Sequence, residues 1–597
     1  MAKFFLGYQQ MKHLKTYGVA LLILLGVWGL GSLAPILLPV IEAAPEGELL
    51  QVFFTLSLLF LLSYFVELAA KRTGLPPFVY ALLFGLFTGP LLTPITHNPS
   101  LLSAIVALGA TLILFGGGLE VPYKNFVRLS PKILSLSFIG LGLTAVLFSY
   151  SLQIFAPLTG ATLGMEGLIL LGAILASTDP AAIIPILRSL RFTNRDVKEI
   201  IISESAVTDV TGTLLTSVFL TALASGVALT SIPGAYGLLI SPASGMVLLK
   251  EILFGVVAGG AGFLILDSIH RHKKNGAREE SGDIAFFIAI PVLTFFVAGV
   301  FGGSGYLAAF IAGLIMHLTE HLHETEHFFN NLIDAFLKPI IFIVLGGLVS
   351  FSELFQYAGI GILSAAIFML VLRPLTVFIS LSPWMIFGKQ RMPLREALFI
   401  ACVRETGAIP AVLLVTVVSS GHATEMAGIL PIGLWIIIAT LVLEPPLTPW
   451  LAKRLNIGEC MTTANNLPVL PLPSALFASR GHSHLRRLPQ VFDWAAHHGI
   501  RRLSVLLCPE DDYTPDFEET LRDSTMRLFH RLNERLRTEE GIELETQLFI
   551  QQGMLHKNIE QACNKDSSVT VLFVGKGVLD FRLGEIKNMH VPFYFLD

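Results

Sequence analysis

Carboxylates and hydroxyls gather twice inside apolar sequence between Ser177 and Gly212. The first group is Ser177-Thr178-Asp179-Pro180, and the second is Ser203-Glu204-Ser205-Ala206-Val207-Thr208-Asp209. Acids are costly at membrane depth, so those that occur there face a cavity or a partner. Pro180, with Pro185 after it, interrupts a helix beside Asp179, and a helix broken next to an acid leaves backbone carbonyls available to an ion. Residues four apart share a helix face, which aligns Ser205 with Asp209 and Glu204 with Thr208. A hydroxyl one turn from a carboxylate, opposite Thr178 on a broken helix, offers several hard oxygens to a bare cation. Taken singly, each Ser or Thr reads as well as a hydroxyl satisfied by its own helix. Three acids in neighbouring segments, Asp179, Glu204 and Asp209, favour a site.

Arg404 also lies in an apolar run and requires a counter-charge. Glu204 is the natural partner, with the adjacent Glu405 as the alternative. Arg373 and Lys250, also within apolar runs, read as side chains reaching an interface. His317, His321, His323 and His327 alternate with Glu320, Glu324 and Glu326. That spacing would allow metal binding or pH sensing, and a solvated interfacial segment is the simpler expectation.

The elements that must hold these residues are written in the composition. The 597-residue chain is 53% hydrophobic and only 14% charged, with a mean hydropathy of +0.70. Such a chain is mostly polytopic membrane protein. Its formal net charge of -4 points to no nucleic-acid partner. About fourteen apolar runs of membrane-spanning length follow one another, from Tyr17 to Val40 through Met426 to Leu451. With a cytoplasmic N-terminus, every second turn carries the Lys and Arg residues, among them Lys71, Arg128, Arg195, Lys338 and Arg391. The bias places both termini inside and the protein in the cell or inner membrane. Two tandem sets of seven spans are inverted repeats. The sixth span, Gly167 to Leu187, then corresponds to the thirteenth, Ala397 to Val418. The thirteenth carries Arg404-Glu405-Thr406-Gly407-Ala408-Ile409-Pro410 and is broken in its turn. Paired broken helices at corresponding positions mark a binding site. Gly255, Gly259, Gly260 and Gly262 suggest close helix packing.

After Cys460 the sequence changes character. Pro468, Pro471 and Pro473 stiffen a linker, and apolar strands then alternate with amphipathic helices. The expected organisation is a membrane domain over residues 1–456, a linker over 457–473 and a small cytoplasmic α/β domain over 474–597 with a mostly parallel sheet. The four cysteines have neither metal-ligand spacing nor a disulfide framework and read as free thiols.

Thr178-Asp179-Pro180 followed by Glu204-Ser205-x-x-Thr208-Asp209 resembles the monovalent cation/proton antiporters of the sodium/proton exchanger type. Their pattern is Thr-Asp-Pro, then Glu-Ser-x-x-Asn-Asp. Gly305-Tyr306-Leu307-Ala308 with Ala312-Gly313, and Arg373-Pro374-Leu375, are similar to further family stretches. The resemblance spans the membrane part. It implies a secondary transporter and not an enzyme, exchanging Na⁺ first, K⁺ or Li⁺ second, for H⁺. It implies that Asp209 is the carboxylate shared by the transported cation and the proton. Asp179 and Thr178 would lie at the crossing of two unwound helices, Ser205 would help coordinate, and Glu204 would pair with Arg404. It also implies a homodimer in membrane lipid, moving one helix bundle against another, and no cofactor. Two departures stand out: Thr208 replaces Asn, and Glu405-Thr406 intervenes between Arg404 and Gly407-Ala408. The C-terminal domain resembles a universal-stress-protein-like regulatory domain. It lacks the dinucleotide fingerprint after its first strand, which leaves a nucleotide there unsupported. The alternatives are a ligand-regulated potassium efflux/proton antiport system, disfavoured by that missing fingerprint, and an intramembrane aspartyl protease, disfavoured by the missing Gly-x-Gly-Asp signature.

Overall fold

Apolar runs that satisfy their own backbone become helices, and that rule builds most of this protein. The computed structural model describes residues 18–44, 46–73, 75–121, 123–178, 183–273, 283–316, 329–387, 391–420, 428–460, 474–479, 487–497, 500, 502–508, 515–539, 544–551, 555–565, 571–575 and 593–596. The chain divides into two compact units. One comprises Met1–Leu187 with Phe192–Ile457, the other Arg188–Arg191 with Gly458–Asp597.

The first unit is helical. Among the described residues, nine helices are long and apolar enough to cross a membrane. The N-terminal run, expected as one span, is a pair of helices, Gly18–Ser32 and Ala34–Glu42, bent by 50°. Pro35 at the start of the second helix gives the reason, since a proline cannot continue the preceding hydrogen-bond ladder. Four shorter apolar helices, Met165–Leu175, Phe287–Val300, Gly305–Met316 and Ala408–Ser419, complete the set. Large apolar side chains such as Leu22, Trp28, Phe53, Ile240 and Leu370 are exposed on the outside of this unit, the arrangement that suits a hydrocarbon surround.

The helices that position the polar groups are these: α1 Pro99–Glu120, α2 Met165–Leu175, α3 Ile184–Ser189, α4 Arg195–Ala224, α5 Pro242–Lys273, α6 Gly305–Met316, α7 Lys338–Gly347, α8 Arg373–Ile386, α9 Leu394–Cys402, α10 Ala408–Ser419 and α11 Ile429–Arg454. The sixth run is broken between α2 and α3, and the thirteenth between α9 and α10. α4 begins with Asn194, whose side chain accepts the Asp196 N–H at 3.1 Å. The amide of the same Asn194 donates to both Glu396 oxygens on α9, at 3.1 and 3.2 Å. One capping residue thus ties the start of α4 to the helix leading into the second break. α5 lies close against α6 at Gly259, where a Cβ would stand 2.5 Å from the Ala308 carbonyl, whereas Gly260 faces open space.

The second unit contains a five-stranded parallel sheet. Its strands are β1 Ser474–Ser479, β2 Arg502–Leu507, β3 Glu545–Ile550, β4 Val571–Gly575 and β5 Phe593–Leu596, in the order β3-β2-β1-β4-β5. Every pairing is parallel, with Ala475 opposite Leu503 and Val571. Helices α12 Leu488–His497, α13 Pro515–Glu539 and α14 Leu555–Lys565 connect the strands. Parallel strands are covered on both faces, which is why β1 and β2 read as apolar runs. Phe477, Leu503, Val505, Val491, Phe492 and Phe529 fill the core. Most of the expected linker, residues 461–473, lies outside the described residues, as does the histidine cluster from His317 to His327.

Candidate functional site

The site forms where the two helix breaks face α4. α2 ends at Leu175, and Ser177 and Thr178 follow outside any helix before the chain leaves the described residues at 179–182. Asp179 therefore lies outside them. Ser177 Oγ donates to Asp209 Oδ1 at 2.8 Å. The Thr178 carbonyl accepts from two α4 hydroxyls, Ser205 Oγ and Thr208 Oγ1, the latter at 3.3 Å. Thr208 also donates to the Ser205 carbonyl at 2.8 Å. Gly212 permits this approach, because a Cβ there would come within 2.7 Å of Ser177 Cβ.

Arg404 enters from the second break, just after α9 ends at Cys402. Its guanidinium is ion-paired with Glu204, and Nη1 donates to Thr178 Oγ1 at 3.0 Å. The side chains of Arg404 and Glu204 are each 1% exposed. At that depth two charges are tolerable only against each other. Glu405, the other potential partner in the sequence, is buried beside Thr406. Thr406 is joined to Thr440 on α11, through its backbone N–H at 3.2 Å and between the hydroxyls at 2.7 Å.

Two further charged residues stand behind this arrangement. Glu444 on α11 is buried and its carboxylate accepts the Arg404 backbone N–H. Arg373, at the start of α8, is also buried and interacts electrostatically with Glu444. Arg373 therefore serves the interior and not an interface, in contrast to the reading from its sequence position, while Lys250 is exposed. Glu444 and Thr440 were missed in the sequence. The signal was present: a lone acid in the last apolar run, followed by Pro445-Pro446. Ser177 was visible in the motif, but its role as the donor to Asp209 was not.

A narrow, partly open cleft reaches this site. Asp209, Ser205, Glu120, Asn330, Asp334 and Lys338 are among its lining residues. Lys338 is paired with Asp334 at 2.8 Å. Asp209, only 7% exposed, is the most deeply buried acid among the residues named as lining the cleft. Two irregular helical turns border the region. The π turn Ser135–Gly140 supplies Ser137, which donates to the Glu204 carbonyl at 3.3 Å and accepts from Thr211 Oγ1 at 3.1 Å. The π turn Ile333–Leu337 lines the cleft. Such turns recur at functional sites because they expose backbone groups that a regular helix would use internally.

A family model described as the transmembrane sodium/hydrogen exchanger matches residues 56–454, which include every residue of this site. The chain belongs to the sodium/hydrogen exchanger family. It is accordingly an antiporter of the membrane and not an enzyme. Among its relatives is the probable Na⁺/H⁺ antiporter 2 of Methanocaldococcus jannaschii, 28% identical over 439 residues, covering 67% of this chain and 97% of that protein. The K⁺/H⁺ antiporter NhaP of Alkalimonas amylolytica is 29% identical over 376 residues, covering 60% of this chain and 59% of that protein. The solved structure of the sodium proton antiporter MjNhaP1 from Methanocaldococcus jannaschii at pH 8 superposes with a TM-score of 0.54 at 25% identity, over 68% of this chain and 99% of that one.

Proposed function

We propose that this exchanger carries one monovalent cation against H⁺ by letting both compete for the Asp209 carboxylate. The observation that carries the reading is Asp209 itself, nearly buried, hydrogen-bonded by Ser177 at 2.8 Å and lining the cleft. An ionised carboxylate offers only acceptor oxygens, and a cation can take the place of the proton on them. The Ser177 hydroxyl, the Thr178 backbone carbonyl and the Ser205 and Thr208 hydroxyls supply further oxygens. Asp179, beside them in the sequence, adds a second acid at the crossing. Arg404 and Glu204 neutralise each other and hold the two broken segments together. Thr208, a hydroxyl where the family has Asn, adds no second ionisable group at its position, which fits one cation for one proton better than an electrogenic ratio.

Na⁺ is the first choice of cation and K⁺ or Li⁺ the second. The K⁺ reading draws support from the Alkalimonas relative, which is named a K⁺/H⁺ antiporter. Lys and Arg segregation supports cytoplasmic termini. About fourteen spans in two inverted repeats, working as a homodimer, would supply alternating access. The domain limits follow the sequence reading: membrane domain 1–456, linker 457–473 and a universal-stress-protein-like regulatory domain 474–597.

The test is cation-driven proton flux in proteoliposomes, with Na⁺, K⁺ and Li⁺ exchanged in turn. Asp209→Asn should abolish it in a folded protein. In the unmodified protein, the apparent cation affinity should fall about tenfold per pH unit below the pKa of the shared carboxylate, because each lost unit multiplies the competing proton tenfold. Substantial flux through Asp209→Asn would place the site elsewhere, with Asp179 and Glu405 the next residues to test.

A further inference from the structure

α4 continues past Asp209 for about four more turns, and its polar face continues with it. Thr213, Thr216 and Ser217 follow Asp209 at positions that repeat its side of the helix. Thr213 donates to the Val210 carbonyl at 2.7 Å. Thr216 is fully buried, and its hydroxyl has no hydrogen-bond partner among the described residues. Ser217 Oγ reaches its own Leu214 carbonyl at 2.9 Å and also crosses to α5, donating to Glu251 Oε2 at 3.2 Å.

Glu251 is the unusual member of this group. It lies within the apolar span Gly245–Ile265 and is partly buried against α4. No basic side chain pairs with it among the described residues, and its neighbour Lys250 is exposed. Its backbone carbonyl accepts the Ser304 N–H at 2.9 Å, which fixes the point from which the side chain departs. An acid at membrane depth that faces the protein without a cationic partner is by default a candidate functional group. The cleft touches α4 through Ile202, Ser205, Ala206 and Asp209. Ser217 is eight residues farther on, about 12 Å along the helix. Glu251 is therefore beyond Asp209 as seen from the cleft.

We propose that Glu251, with Ser217 and Thr216, forms a second contact site for the transported monovalent cation, on the side of Asp209 away from the cleft. The inference rests on the reading of Asp209 as the shared site. The carboxylate supplies the charge, and the two hydroxyls supply neutral oxygens whose lone pairs can turn toward an ion. A cation that leaves Asp209 on that side meets Glu251 before it reaches the medium. A cation arriving from that side is concentrated there first.

The test uses the full chain in oriented proteoliposomes, with Na⁺ and then K⁺ varied on one face at a time. Glu251→Gln should raise the half-saturating cation concentration roughly tenfold on the face opposite the cleft, the loss that one charge-assisted contact carries. The cleft-face value should not move. Glu251→Asp should restore most of the affinity, and Ser217→Ala and Thr216→Val should give smaller shifts on the same face. These two milder changes decide the matter if Glu251→Gln fails to fold. Unshifted values on both faces, or equal shifts on both, overturn the proposal. Asp209→Asn in parallel separates the two assignments: flux retained there refutes the shared site, whereas flux lost there with unshifted Glu251 variants refutes the second site alone.

Discussion

Glu204→Gln is the most informative change at the crossing. It removes the negative charge that faces Arg404, and both side chains are almost wholly buried, at 1% exposure each. Breaking a buried pair by removing one partner costs about 3–5 kcal/mol, because the remaining charge cannot return to water. Arg404 keeps its bond to Thr178 Oγ1 at 3.0 Å and its attraction to Glu444. The loss should therefore fall at the lower end, about 3 kcal/mol. In a unit this large each kcal/mol moves the midpoint by about 2 °C or less, so thermal unfolding should shift down by up to about 6 °C. Arg404→Gln should cost a similar amount, since it leaves Glu204 alone. The double change Glu204→Gln with Arg404→Gln removes both charges, and the cycle should show about 1–3 kcal/mol of coupling. Stability should recover in part while transport does not, because the bond from Arg404 to Thr178 is gone. The assay is thermal unfolding of the purified full chain in detergent, with flux in proteoliposomes alongside. Additive losses in the double variant would refute the pairing and make Glu405 the counter-charge of Arg404.

Two other outcomes follow from the same geometry. Truncation after Cys460 should leave cation-dependent proton flux intact while changing its regulation, because Ser177, Thr178, Glu204, Ser205, Asp209 and Arg404 all lie upstream; complete loss of flux in a folded truncation would refute this. Gly212→Ala should lower both flux and stability, the latter by about 1–3 kcal/mol as in other overpacked sites, since its methyl would press on Ser177. Gly260→Ala, whose methyl meets open space, should match the unmodified protein in unfolding midpoint and flux, and equal behaviour of the two variants would show that the Ser177 contact is not tight.

The helices were legible because each is a local decision. A segment in hydrocarbon must satisfy its backbone within itself, so its apolar length and its turn charges carry the message. The breaks were legible for the same reason, written as proline, glycine and charge inside apolar runs. The alternation of apolar strands and amphipathic helices after Cys460 likewise announced a parallel sheet, and the observed strand β2 at Arg502–Leu507 falls within a residue of the run Leu503 to Cys508.

Which groups meet was another matter. Helix spacing aligned Ser205 with Asp209, yet in the folded chain Ser205 serves the Thr178 carbonyl and Ser177 serves Asp209. Periodicity assigns the face of one helix and says nothing of the backbone that packs against it, least of all where that backbone has left the helix. The pairing of Arg404 with Glu204 could be argued from charge alone, since an apolar run leaves an arginine few partners. The hold of Glu444 on the Arg404 backbone could not, because its two ends lie forty residues apart and neither run says which backbone group the other will meet. Glu251 shows the same limit. In sequence it is one acid beside a lysine, and only the packing of α5 on α4 turns it toward Ser217. The sequence determined which segments would be helices and where they must break. The tertiary structure decided which oxygen faces which, because those contacts join residues whose chain separation carries no directional information.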